Sequence, residues 1–145
     1  MISMVFFDTS VLVTAVVTEL PNHERAHDCL VKHIQNQDGA CISNHVLAEA
    51  YASLTALQVR KRISPMDAKS IIEESLVNKL QVVPLSTEVY LSAIRKVSNQ
   101  GLGSGIIYDA LHLEMAESLG CTELITYNLK DFKRLEPQNI RVLSP

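Results

Sequence analysis

Nothing basic precedes the first apolar run of this chain, and that run is short. Met1-Ile2-Ser3-Met4 carries no charged side chain, and Asp8 interrupts the hydrophobic stretch before it reaches the length of a signal segment or a membrane span. A cytoplasmic location with no membrane partner is expected. Cysteine is scarce: Cys29, Cys41 and Cys121 are odd in number and isolated among apolar neighbours, which argues against a disulfide framework and predicts buried free thiols. Excess positive charge is lacking too. A net charge of −3 speaks against a general polyanion binder, whose affinity would come from neutralised phosphates. Bases nevertheless cluster at Arg60-Lys61-Arg62, at Arg95-Lys96, and at Lys130 with Lys133-Arg134, where they serve equally as solvated helix ends or as a phosphate-facing rim. Repeats, low-complexity tracts and linkers are absent. With 145 residues, 47% hydrophobic and 20% charged, the chain reads as a single domain spanning 1–145 with a substantial core.

Several common catalytic signatures are missing as well. The loop with Gly101, Gly103 and Gly105 lacks the Gly-Lys-Ser/Thr of a P-loop, and Ile106 occupies the last glycine position of G-x-G-x-x-G. It reads as a mobile loop beside a site. No Ser-His or Cys-His arrangement suggests a side-chain nucleophile. His23-Glu24-Arg25-Ala26-His27 does match H-E-x-x-H, with Glu49 as a conceivable third zinc ligand. Against a zinc protease, the match follows Pro21-Asn22 directly, in the solvent-prone first turn of a short helix, and the remainder lacks a second lobe to form a peptide cleft.

What is present is an alternation of strand and helix patterns. Met4–Phe7 reads as a buried strand with turn-forming Asp8-Thr9-Ser10 behind it, and a helix follows Pro21-Asn22 until Gly39. Ala40–Ile42 reads as a second strand. Ser43 or Asn44 caps a helix with the stripe Leu47, Ala50, Leu54 and Leu57. Ser64-Pro65-Met66-Asp67 starts another, running to about Leu80. Gln81–Leu85 reads as a strand, Ser86 or Thr87 opens a helix, and a further helix runs from Ile107 to about Leu119, where Gly120 stops it. Glu123–Tyr127 and Ile140–Leu143 complete the strands. This order predicts an α/β domain with a mainly parallel sheet, which binds ligands at the carboxyl ends of its strands.

Four acids stand at element boundaries: Asp8 after the first strand, Glu49 in an apolar helical stretch, Asp109 opening a helix, and Asp131 following a strand. Each has an ordinary reading as a turn former, a solvated acid, a dipole-favoured acid or a cap. Brought together, four carboxylates make a hard oxygen cage suited to Mg²⁺ or Mn²⁺ rather than zinc. Thr9, Ser10 and Thr126 are hydroxyls able to fix those carboxylates. His112, one turn beyond Asp109, is read either as a satisfied interior histidine or as a group that orients a carboxylate.

Four segments carry a family likeness: Phe7-Asp8-Thr9-Ser10, Asn44-His45-Val46-Leu47-Ala48-Glu49-Ala50, Tyr108-Asp109-Ala110-Leu111-His112-Leu113-Glu114-Met115-Ala116, and Leu124-Ile125-Thr126-Tyr127-Asn128-Leu129-Lys130-Asp131-Phe132. With them the chain resembles a PIN domain, and more narrowly the toxin ribonucleases of VapBC toxin–antitoxin pairs. The resemblance implies a three-layer α/β/α fold and a Mg²⁺- or Mn²⁺-dependent endoribonuclease that hydrolyses RNA through metal-activated water. It further implies Asp8, Glu49, Asp109 and Asp131 as catalytic metal ligands, an RNA substrate, a small antitoxin partner and a homodimer. Many family members carry an acid where Asn128 stands, so Asp131 is expected to complete the metal shell with Asn128 as a neutral helper. Two rivals follow. An aspartyl-phosphate phosphatase would want a second acid two residues after Asp8, where Ser10 stands. A catalytically silent module would keep the fold only to bind RNA or protein.

Overall fold

The protein is described from a computed structural model covering residues 4–35 and 39–145. Five strands, β1 (Val5–Phe7), β2 (Ala40–Ser43), β3 (Gln81–Val83), β4 (Glu123–Ile125) and β5 (Arg141–Leu143), form one sheet in the order β3-β2-β1-β4-β5. Every pairing is parallel, with Phe6 opposite both Cys41 and Leu124. The sheet is therefore wholly rather than mainly parallel.

Strand alternation sorts the core into two halves. Val5, Phe7, Ile42 and Ile125 face one layer, with α1 (Thr9–Val16), α2 (His23–Gln35) and α3 (Asn44–Ala56). Phe6, Cys41 and Leu124 face the other, with α5 (Thr87–Asn99), α6 (Ile106–Ser118) and α7 (Leu129–Arg134). A residue period of two in the strands thus produces the three-layer α/β/α arrangement. Cys41 and Cys121 are buried and Cys29 half-buried, and all three are free thiols. No helix among the described residues is long and apolar enough to cross a membrane.

Several boundaries differ from the sequence reading. The turn expected at Asp8-Thr9-Ser10 is the start of α1, with Asp8 as its N-cap. The buried stripe of α3 is Val46, Ala50 and Leu54, so Val46 replaces Leu47. The helix expected from Pro65 to about Leu80 divides into α4 (Pro65–Ile71) and a π-helical segment, Ile72–Val77. Its start is as the sequence indicates: Ser64 Oγ accepts from Asp67 N at 3.1 Å with proline in the first turn. Gly120, at φ 72°, ends α6. Cys121 N donates to Ala116 O at 2.9 Å and Gly120 N to Glu117 O at 3.1 Å, the paired bonds of a Schellman cap that needs a left-handed residue there.

Candidate active site

Because all five strands run the same way, their carboxyl ends share one edge of the sheet. The chain leaves β1 at Asp8, β2 at the start of α3, and β4 towards Asn128. A cavity of about 340 Å³ lies there, lined by Asp8, Thr9, Ser10, Glu49, Asp109 and Asn128, with Ser53, Val13 and Leu57 completing its wall. Three of the four expected acids meet in it.

Asp8 is buried and firmly held. Its Oδ1 accepts from Thr9 N at 2.8 Å, as a capping acid does at a helix N-terminus. Its Oδ2 accepts from Thr126 Oγ1 at 2.7 Å and from Ser10 Oγ at 3.0 Å. Both hydroxyls are fixed in turn: Thr126 Oγ1 accepts from Asn128 N at 2.9 Å, and Ser10 Oγ from Tyr127 N at 3.2 Å. The three hydroxyl residues singled out in the sequence all bond to a site carboxylate, because Thr9 Oγ1 donates to Glu49 Oε1 at 3.2 Å.

Glu49 and Ser53, one turn apart on α3, face this cavity, while Leu47 and Tyr51 face away from it. The partner of Glu49 is His112, fully buried, whose Nε2 lies 2.6 Å from Glu49 Oε1 and 3.8 Å from Asp8 Oδ1. Burial alone would lower the proton affinity of His112. The hydrogen bond and charge of Glu49, with Asp8 and Asp109 behind, overcome it and raise that affinity. Burial likewise acts to raise the Glu49 pKa, but His112, then His45 and Thr9, bring it below the ordinary glutamate range. Each shift favours the charged form of its group, so the contact joins a histidine and a carboxylate that strengthen each other's charge. His112 is both a buried interior histidine and a group that holds an acid, but the acid is Glu49, 63 positions away, rather than Asp109 one turn before it.

Asp109 occupies the first turn of α6. Burial and the neighbouring charge of Asp8, supplemented by Asp131 and Glu49 and opposed by His112, push its carboxyl up to about 7. Asp131 stands apart from the other three. It lies within α7 rather than capping a turn, half exposed, with Oδ1 3.6 Å from Arg134 Nη1, and it is not among the residues lining the cavity. Asn128, at the N-cap position of α7, does line it.

As the side chains lie, no group of three or more His, Cys, Asp or Glu among the described residues is arranged to hold a metal ion. Glu49 is turned to His112, and both oxygens of Asp8 accept hydrogen bonds. The donor set nonetheless fits a hard divalent cation. It is all oxygen, on one cavity, and burial together with the neighbouring acids makes Asp109 favour a proton. The H-E-x-x-H match is accounted for differently. His23 Nδ1 bonds to Thr14 O at 2.9 Å, His27 is exposed beside Asp28, and Glu49 belongs to the acid cavity.

Thr126 is the structural key to Asp8. Thr126→Val should cost about 1–3 kcal/mol in urea denaturation, because it leaves Asp8 Oδ2 short of a donor and Asn128 N without its acceptor.

The family model for the PIN domain matches residues 5–136. The chain belongs to the PIN-domain family. PIN domains are a nuclease family, which places the chain in a class of hydrolases acting on nucleic acid. Solved structures share the PIN fold along nearly their whole length. A sarcin-ricin loop cleaving toxin, VapC20 of Mycobacterium tuberculosis, superposes with a TM-score of 0.72 at 17% identity, covering 94% of this chain and 98% of its own. A DNA-bound VapBC from Salmonella typhimurium gives 0.70 at 21% identity, covering 99% and 98%. FitAcB from Neisseria gonorrhoeae gives 0.69 at 16% identity, covering 97% and 96%. No curated protein matches significantly.

Proposed function

We propose that this PIN domain is a Mg²⁺- or Mn²⁺-dependent endoribonuclease and the toxin of a toxin–antitoxin pair. The observation that carries this reading is the meeting of Asp8, Glu49 and Asp109 on one cavity at the carboxyl edge of a parallel sheet. Asp8, Glu49 and Asp109, with Asp131 of α7 and the Asn128 amide as a neutral helper, are the residues that would hold the ion. When bound, such an ion supplies Lewis-acid activation of water and stabilises charge developing on the phosphate. The chain's own residues do the rest. Thr9, Ser10 and Thr126 lock the Asp8 carboxylate, and His112 holds Glu49 and balances part of the acid charge. Asp109 would hold the ion in the place where the metal-free site favours a proton. Lys130 and Lys133, exposed on α7 beyond Asn128, offer positive charge to an approaching backbone.

The partner surface is a groove of about 540 Å³ between α3 and α4, lined by Leu47, Tyr51, Pro65, Met66 and Ile72, in which Tyr51 and Met66 are exposed. An amphipathic helix of an antitoxin fits such a groove, and an arginine beyond it would pair with the site acids in competition with the ion. Exposed Leu91 and Ile94 on α5 supply an apolar face for a homodimer in the cytoplasm.

The test is incubation of the purified protein with RNA. Cleavage that requires millimolar Mg²⁺ or Mn²⁺, is stopped by EDTA and leaves 5′-phosphate ends is expected. Co-expression with the neighbouring open reading frame should yield a complex in which cleavage is suppressed. Cleavage that persists in EDTA would sink the metal assignment, and an active protein that never co-purifies with that product would end the toxin assignment.

A further inference from the structure

Beside the acid cavity stands an aromatic step that the hydrolytic chemistry does not use. His45 stands in the first turn of α3, four residues before Glu49, and Tyr108 in the first turn of α6, immediately before Asp109. Their rings are stacked, with centroids 5.4 Å apart and planes inclined by only 12°. Tyr90 of α5 closes the edge of His45 at 6.4 Å and 82°, and the His112 ring lies 6.3 Å from His45. His45 is thus packed by three rings, one of them the buried histidine that holds Glu49. Tyr108 is braced by His45 on one face and remains 48% exposed.

A single exposed tyrosine needs no explanation. This one is held flat, joined through His45 and His112 to the acid centre, and one residue from Asp109. A braced ring loses little rotamer freedom when something lies against its free face. An unpaired nucleobase has the complementary shape: a flat π surface, attached to the phosphodiester chain whose cleavage is proposed next door. Bases within a helix have both faces covered and cannot offer one without unstacking. We propose that the free face of Tyr108, braced by His45, is a stacking subsite for an unpaired base flanking the phosphate at the acid site. The inference rests on the ribonuclease reading and deepens it, because it assigns a side chain outside the acid cavity that positions a base beside the scissile phosphate.

The chain has no tryptophan, so Tyr108→Trp introduces a unique fluorophore at the subsite. In an Asp8→Asn background, which keeps the RNA intact, titration with a short single-stranded oligoribonucleotide should quench the tryptophan saturably. The same sequence annealed to its complement should quench at least ten-fold more weakly. In otherwise wild-type protein, Tyr108→Leu should raise KM for the single strand roughly 10- to 100-fold, the usual worth of one stacked base, with kcat nearly unchanged. Tyr108→Phe should restore KM, which a merely structural tyrosine hydroxyl would not explain. Unquenched tryptophan, or an unchanged KM in Tyr108→Leu, overturns the subsite while leaving the nuclease reading intact. So does a Tyr108→Leu protein that loses self-association but binds RNA as before, because the ring then serves a contact between copies. A wild-type protein that cleaves no RNA with any divalent ion overturns the nuclease reading, and the quenching titration then decides the stacking step alone.

Discussion

Asp8→Asn and Asp109→Asn should each abolish RNA cleavage, by about 1000-fold or more, while leaving the protein folded. The magnitude follows from the several kcal/mol of charge stabilisation that a well-held divalent ion supplies, at about 1.4 kcal/mol per tenfold in rate. Asparagine keeps the shape of either side chain and removes its charge. For Asp109 that charge is unwelcome in the metal-free protein, since burial and the charge of Asp8 already push its carboxyl up to about 7. The Asp109→Asn protein should therefore melt higher than wild type in EDTA at neutral pH, a loss of function coupled to a gain in stability. The same assay ranks the fourth position. Asp131→Ala is expected to do more damage than Asn128→Ala, and the reverse order would move the role to the amide that lines the cavity. A protein that unfolds on losing Asp109 would instead mark that residue as structural.

A second large effect should appear in melting temperature as a function of pH and Mg²⁺. Asp109 binds its proton more tightly folded than unfolded, moving from 3.8 up to about 7. Its contribution to stability is complete below its unfolded value and is lost as pH rises through about 7. His112, also raised, acts in the same direction from 6.5 upward. Glu49 is lowered, so its contribution is lost only on acidification below its ordinary 4.5. In EDTA the melting temperature should accordingly fall between pH 5 and pH 8. A divalent ion competes with the proton on Asp109 and binds only the folded state. At about 100-fold excess over its Kd it adds roughly 2.7 kcal/mol, or some 5–10 °C for a domain of this size. The Mg²⁺ shift should be larger at pH 8 than at pH 5.5 and much smaller in Asp109→Asn. Equal shifts in both proteins would remove Asp109 from the metal shell.

What could be read from the chain, and what could not, divides along physical lines. Strands buried on both faces announce themselves as short apolar runs, and caps such as Ser64-Pro65 announce helix starts, so the layer order and sheet type were legible. Helix α1 was not. Its residues Thr9–Val16 are uncharged and mostly buried, so no charged, solvated face marks a helical period. The π-helical segment after Ile71 was hidden as well, because it changes hydrogen bonding without changing the hydrophobic stripe. Among the site residues, Asp8, Glu49 and Asp109 each have an ordinary reading alone, and only the resemblance to a family selected them together. Asp131 was expected ahead of Asn128, yet Asn128 lines the cavity, since three residues in a short helix decide which side chain looks into it. The ion pair of His112 with Glu49 spans 63 positions, a separation that no local pattern reports.

That separation has a bearing on how the protein is made. Thr126 bonds to Asp8 across 118 positions, and Asn128 reaches the cavity only after β4 has paired with β1. Pairings so distant form late, after the chain between them has been ordered. A chain emerging from the ribosome would carry Asp8 without the hydroxyl that aims it, or the fourth wall of its cavity, until Thr126 and Asn128 had followed. A nuclease site assembled from segments this far apart stays blunt until the last of them, around Thr126, has left the ribosome.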